Sequence, residues 1–101
     1  MSYYYILNGH KPVLVSFTDW AFLHTSQDWQ VARKRLFNGK VCVSTVFLGI
    51  DYQTGRHGPP LLFHTMVFGG PLDESQERCS TWEQAEKMHK VWIKKAADAG
   101  L

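Results

Sequence analysis

Two dense apolar runs dominate the chain. Val41 to Ile50 reads VCVSTVFLGI and Leu61 to Phe68 reads LLFHTMVF, with the polar stretch DYQTGRHGPP from Asp51 to Pro60 between them. Apolar side chains fall on both faces of each run, which marks the pair as central strands of a sheet. Ahead of them, Tyr3 to Leu7 is aromatic and branched and reads as a strand ending in an Asn8-Gly9 turn. Val13 to Phe17 pairs back on it as a short hairpin, and Pro12 confines that second strand to an edge. Ser16 or Thr18 then caps a short helix with Asp19 in its first turn. Trp20, Leu23 and His24 share one side of it.

Gln30 to Phe37 is a further strand. Arg33, Lys34 and Arg35 follow one another in it, so at least one face meets solvent, as suits an edge strand whose charge discourages pairing with other chains. Asn38-Gly39 is a strong hairpin signal, because a tight turn of this type needs positive φ at both central residues. That turn pairs Leu36 with Val41, Lys34 with Val43 and Ala32 with Thr45. It puts Arg33 and Arg35 on the other face with Ser44 and Cys42. Gly69 to Cys79, GGPLDESQERC, reads as an acidic loop at the end of the sheet nearest that turn.

The C-terminal stretch reads as a long helix. Ser80 and Glu83 have the spacing of a capping box. Trp82, Ala85, Met88, His89, Trp92, Ile93 and Ala96 follow as an apolar stripe at helical spacing, which predicts that Trp82 and Trp92 are buried against the sheet. Lys94 and Lys95 suit the end of the helix dipole, and Gly100 can terminate it. The whole reads as a single α+β domain over residues 1–101. It is a two-layer sandwich in which a mainly antiparallel sheet of roughly five strands is packed by the long C-terminal helix, with a short helix after the first hairpin.

Composition changes this picture little. The 101 residues include four Trp, four Tyr and six Phe, ample for one core. The formal net charge of +2 is too small to argue for nucleic acid by itself. The two cysteines, Cys42 and Cys79, form no Cys-x-x-Cys, and reduced thiols are expected. The first residues, MSYYYILNGHK, lack the basic and apolar regions of a signal peptide. No apolar run approaches the roughly 20 residues that cross a bilayer. The expectation is a cytoplasmic protein without membrane contact.

Candidate chemistry is sparse. The histidines His10, His24, His57, His64 and His89 form neither His-x-His nor His-Glu-x-x-His, so no metal site and no cofactor is expected. His64 and His89 read as hydrogen-bonded core histidines. No Gly-x-Ser-x-Gly and no phosphate loop is present, and no catalytic residue is assigned. Two segments suit binding. The Asp51 to Pro60 loop offers Tyr52, Arg56 and His57, including the Tyr and Arg types enriched at hot spots. The basic edge offers Arg33 and Arg35, which attract an acidic protein or, alternatively, nucleic acid.

The stretches VSTVFLGID, PPLLFHTMVFGG and STWEQAEKMH resemble a small family encoded by tailed phages and prophages, over roughly Tyr3 to His89. The family pattern has Phe-Glu-Thr-Met, Arg-Tyr-Ser-Thr-Trp and a Gly-His pair. Here His64 replaces the Glu, Cys79 the Tyr and Met88 the Gly. The resemblance carries no activity. It implies a phage or prophage setting and an accessory product acting on host proteins. The leading expectation is therefore a phage-type accessory protein that acts by binding a host factor, for example as an inhibitor of a bacterial defence system. The alternatives are a small metal-dependent hydrolase or nuclease using His57, His64, His89 and Asp51, and a protein that captures a nucleotide signal in a pocket between subunits.

Overall fold

The computed structural model describes residues 3–26, 29–51 and 58–101. Its elements run β1 (Tyr3–Asn8), β2 (Lys11–Val15), α1 (Phe17–Leu23), β3 (Gln30–Leu36), β4 (Val41–Phe47), β5 (Ile50–Asp51), β6 (Phe63–Phe68), β7 (Gln76–Cys79) and α2 (Trp82–Ala99). The α+β class holds, and the strands divide into two antiparallel sheets, ordered β2-β1-β5 and β3-β4-β6-β7.

The β3–β4 hairpin has the predicted register, with Leu36 opposite Val41, Lys34 opposite Val43 and Ala32 opposite Thr45. Lys40 N–H donates to Phe37 O across Asn38 and Gly39, whose φ values of 57° and 85° are the positive pair that this turn requires. Phe37 joins them at φ 54°, an uncommon value for a bulky residue.

The first apolar run is not one strand. β4 ends at Phe47, and Ile50–Asp51 pairs with β1 in the other sheet. Gly49 makes the break. Its φ is 75°, and a Cβ there would lie 2.6 Å from the Trp29 ring, so the chain turns where the indole packs. Gly49 O accepts from Tyr5 N–H at 2.8 Å, which ties the corner to β1. The second run starts its strand at Phe63 rather than Leu61, after Pro59 and Pro60. The supposed acidic loop contains β7, which pairs with β6 and forms the sheet's far edge. Its polar sequence QERC carries no apolar alternation, so the pattern concealed it.

Neither central strand is covered on both faces. Burial alternates along β4 and β6, with Val41, Val43, Thr45, Phe47, Phe63, Thr65 and Val67 fully buried and the residues between them half-buried or exposed. The buried face meets α2 through Ala85, Met88, His89 and Ala96. Two apolar clusters result. One centres on Val41, Val43, Val67 and Ala96, and the other on Phe47, Leu62, Phe63 and Ala85, where Tyr5 and Leu7 of β1 also pack. A polar belt lies between them. Thr45 stands opposite Thr65, their hydroxyls are 2.5 Å apart, and Thr45 Oγ1 is 2.8 Å from His89 Nδ1.

The capping box of α2 sits one residue later than predicted. Thr81 Oγ1 accepts from Gln84 N–H at 3.1 Å, and Gln84 Oε1 accepts from Thr81 N–H at 3.3 Å. Thr81 is extended, at φ −125° and ψ 157°, as a cap must be. Ser16 caps α1, accepting from Asp19 N–H at 3.1 Å, so Phe17 belongs to the helix and not to β2. Trp82 and Trp92 are half-buried rather than buried. Trp82 stacks on His10 at 3.8 Å, and Trp92 donates its indole N–H to Glu77 at 2.8 Å.

Candidate functional site

Pleating sends every second residue of the four-stranded sheet away from α2, the helix that packs on this sheet. The register assembles those residues into one outer face. Arg33 lies opposite Ser44 and Arg35 opposite Cys42, as the hairpin predicts. Next come Met66 beside Ser44, Phe68 beside Cys42 and His64 beside Val46. Gln76 and Arg78 on β7 complete the row opposite Met66 and His64. The centre is thus thioether, thiol, branched aliphatic and aromatic, with arginines on both margins.

A shallow cavity of about 390 Å³ opens on this face, lined by Arg33, Arg35, Gly39, Cys42, Ser44 and Phe68. Phe68 is 47% exposed at its edge. Arg33, Arg35 and Arg78 are exposed, and among the described residues the salt bridge formed is Lys94 to Asp98, so no carboxylate neutralises the three guanidinium groups. Gln30 braces the floor, donating from Nε2 to Ser44 Oγ at 3.1 Å and to Thr45 O at 3.3 Å.

The other predicted binding residues, Tyr52, Arg56 and His57, lie outside the described residues. Asp51, at the start of that loop, is 6% exposed, and its Oδ2 has no hydrogen-bond partner. Burial, then the Asp51 charge, then Tyr3 push the Tyr5 hydroxyl above its ordinary pKa.

Of the histidines proposed for catalysis, the two described ones, His64 and His89, are kept apart. His64 is half-buried on the outer face, where its Nε2 lies 2.7 Å from Gln76 Oε1, so it is not the core histidine that the pattern suggests. His89 is buried on the opposite side of the same sheet against Thr45. Burial lowers its pKa, which favours the neutral imidazole. No cluster of three His, Cys, Asp or Glu side chains able to hold a metal occurs among the described residues. The acidic segment after β6 is instead a folded turn, in which Asp73 Oδ1 accepts from Gly69 N–H at 2.6 Å. None of the helices among the described residues is long and apolar enough to cross a membrane.

Sequence reasoning found Arg33 and Arg35 but missed Met66, Phe68 and Arg78. The alternation in LLFHTMVF was a usable signal, since it sets His64, Met66 and Phe68 on one face. Arg78 carried none, because β7 itself was not visible. No protein-family model, curated protein or solved structure matches this chain.

Proposed function

We propose that this protein acts by binding an acidic protein through the outer face of its four-stranded sheet. One observation carries the reading: an apolar centre of Cys42, Val46, Met66 and Phe68 is flanked by arginines that have no carboxylate partner among the described residues. Such a surface supplies the two parts of a binding site, an apolar centre that excludes water and a charged margin that speeds encounter. Protein suits the face better than single-stranded nucleic acid. A strand of bases needs successive aromatic platforms, and among the described residues Phe68 is the single Phe, Tyr or Trp in the paired positions of this face. The resemblance to phage and prophage proteins gives the setting. The chain is an accessory protein working in the host cytoplasm, and its partner is a host factor such as a defence component.

The test is capture from host lysate by the parent protein, by Arg33→Glu with Arg35→Glu, and by Phe68→Ser. An acidic protein retained by the parent should be lost by both variants. The charge variant should lose most at low salt, where screening is least. Retention of the same partner by all three proteins would remove this face as the site. A partner released by nuclease treatment would transfer the reading to nucleic acid.

A further inference from the structure

The edge formed by β7 offers a second surface, which shares Arg78 with the outer face. Val67 N–H donates to Ser75 O at 2.9 Å, which makes Val67 and Ser75 a hydrogen-bonded pair. Bonded and non-bonded pairs alternate along an antiparallel ladder. His64 with Arg78 and Met66 with Gln76 are therefore non-bonded pairs. Gln76 and Arg78 turn their backbone N–H and C=O away from β6, towards the sheet's free edge.

Beside that edge runs a groove of about 590 Å³, between β7 and α2. Its floor is apolar, made by Leu61, Met88 and Val91, the last 49% exposed. Its rim is basic, with Arg78 on the strand and Lys87 and Lys95 on the helix. The carboxylate within reach, Glu77, is engaged by the Trp92 indole, and Lys95 Nζ sits 4.5 Å above that ring. Among the described residues the groove's lining therefore sets three cations, Arg78, Lys87 and Lys95, against the one carboxylate Glu77, over an apolar floor and along a strand whose Gln76 and Arg78 backbone groups face outward.

We infer that this groove receives an extended acidic segment of another protein, which adds to β7 as a fifth strand. Strand addition draws affinity from main-chain bonds and selectivity from alternate side chains. One set of side chains would enter the groove over Met88 and Val91, and the alternate, acidic set would point to the outer face beside Arg78, in the positive field to which Lys87 and Lys95 add. A second copy of this chain is a poor occupant, because pairing β7 with itself sets one basic rim against another. The inference shares Arg78 with the outer-face reading but uses neither Arg33 nor Arg35. Arg33 and Arg35 lie on the far edge strand, and reversing their charge leaves the groove intact.

A blocked, fluorescein-labelled heptapeptide alternating valine with glutamate tests this, with its valine–lysine counterpart as control. The glutamate peptide should bind the parent and Arg33→Glu with Arg35→Glu equally, and should protect the Gln76 and Arg78 amides from hydrogen exchange. The lysine peptide should bind about tenfold more weakly or worse. Arg78→Pro, which removes the outward N–H without touching the β6 ladder, should bind the glutamate peptide about tenfold more weakly than Arg78→Ala, which removes the charge alone. Equal binding of the two peptides, or no binding of either, would overturn the proposal. So would unprotected edge amides, displacement of the peptide by oligothymidylate, or a parent dimer that Arg78→Pro splits. Amide protection is read on the parent protein, so the test survives a proline variant that fails to fold.

Discussion

Thr45→Val removes one hydroxyl from the polar belt and keeps the shape of the side chain. Thr45 Oγ1 is the centre of a three-membered chain, 2.5 Å from Thr65 Oγ1 and 2.8 Å from His89 Nδ1. Thr45 and Thr65 are fully buried and His89 is 6% exposed, so water cannot substitute for the lost group. The variant leaves two buried polar atoms without their partner, each costing about 1–3 kcal/mol. The valine methyl returns about 1 kcal/mol of apolar burial. The net loss is about 1–5 kcal/mol, a large part of the roughly 5–15 kcal/mol that holds a domain of this size. Urea denaturation followed by tryptophan fluorescence measures it directly. The combined Thr45→Val, Thr65→Val, His89→Leu variant supplies the control. It removes every member of the belt, so no orphan remains and most of the stability should return. A Thr45→Val protein as stable as the parent would refute the pairing. A combined variant as unstable as the sum of its parts would refute the orphan argument.

Gly49→Ala should cost about 2–5 kcal/mol by urea denaturation, from the left-handed φ together with the close approach of Trp29. Gly39→Ala should cost about 1 kcal/mol, since its φ is also positive but nothing lies within 4 Å of the added carbon; equal losses at the two sites would remove the Trp29 contact from the argument. Stability should fall as pH drops below the ordinary histidine value of about 6.5, because the His89 pKa is lowered in the folded protein and the unfolded chain then binds more protons. His89→Leu combined with both Thr→Val changes should flatten that pH dependence, and an unchanged slope would assign it to other groups. Trp92→Ala should cost about 2–3 kcal/mol, less than the roughly 3–5 of a fully buried tryptophan, and a larger loss would mean that the ring is more sequestered than its half-burial indicates.

What the sequence revealed follows from what pattern can encode. The β3–β4 register was legible to the residue, because a tight turn at Asn38-Gly39 allows one pairing. The stripe from Ala85 to Ala96 identified α2, since burial on a helix leaves a period in the chain. β7 was illegible, because an edge strand with exposed Gln76, Glu77 and Arg78 buries almost nothing and so leaves no period. The switch of β5 to the other sheet was illegible for another reason. Gly49 is needed there by Trp29, twenty residues earlier, and contacts at that distance leave no local mark. For the site, Arg33 and Arg35 could be named from their run of charge. Their apolar company on β6 required knowing which strand lies beside β4.

The Gly49 corner also orders events during synthesis. β1 and β2 leave the ribosome before the other described strands and can close as a hairpin at once, yet β5, to which β1 docks, emerges only after β3 and β4. β3 and β4 can pair as soon as their turn is made, but the buried side of β4 finds β6 later and α2 later still. Ala96, at the heart of the first cluster, lies in α2, which follows every described strand. The nascent chain therefore carries two hairpins with bare apolar faces until α2 has been made. Core assembly is withheld until α2 is free, which makes the growing chain, rather than the finished one, the form most exposed to chaperones and proteases.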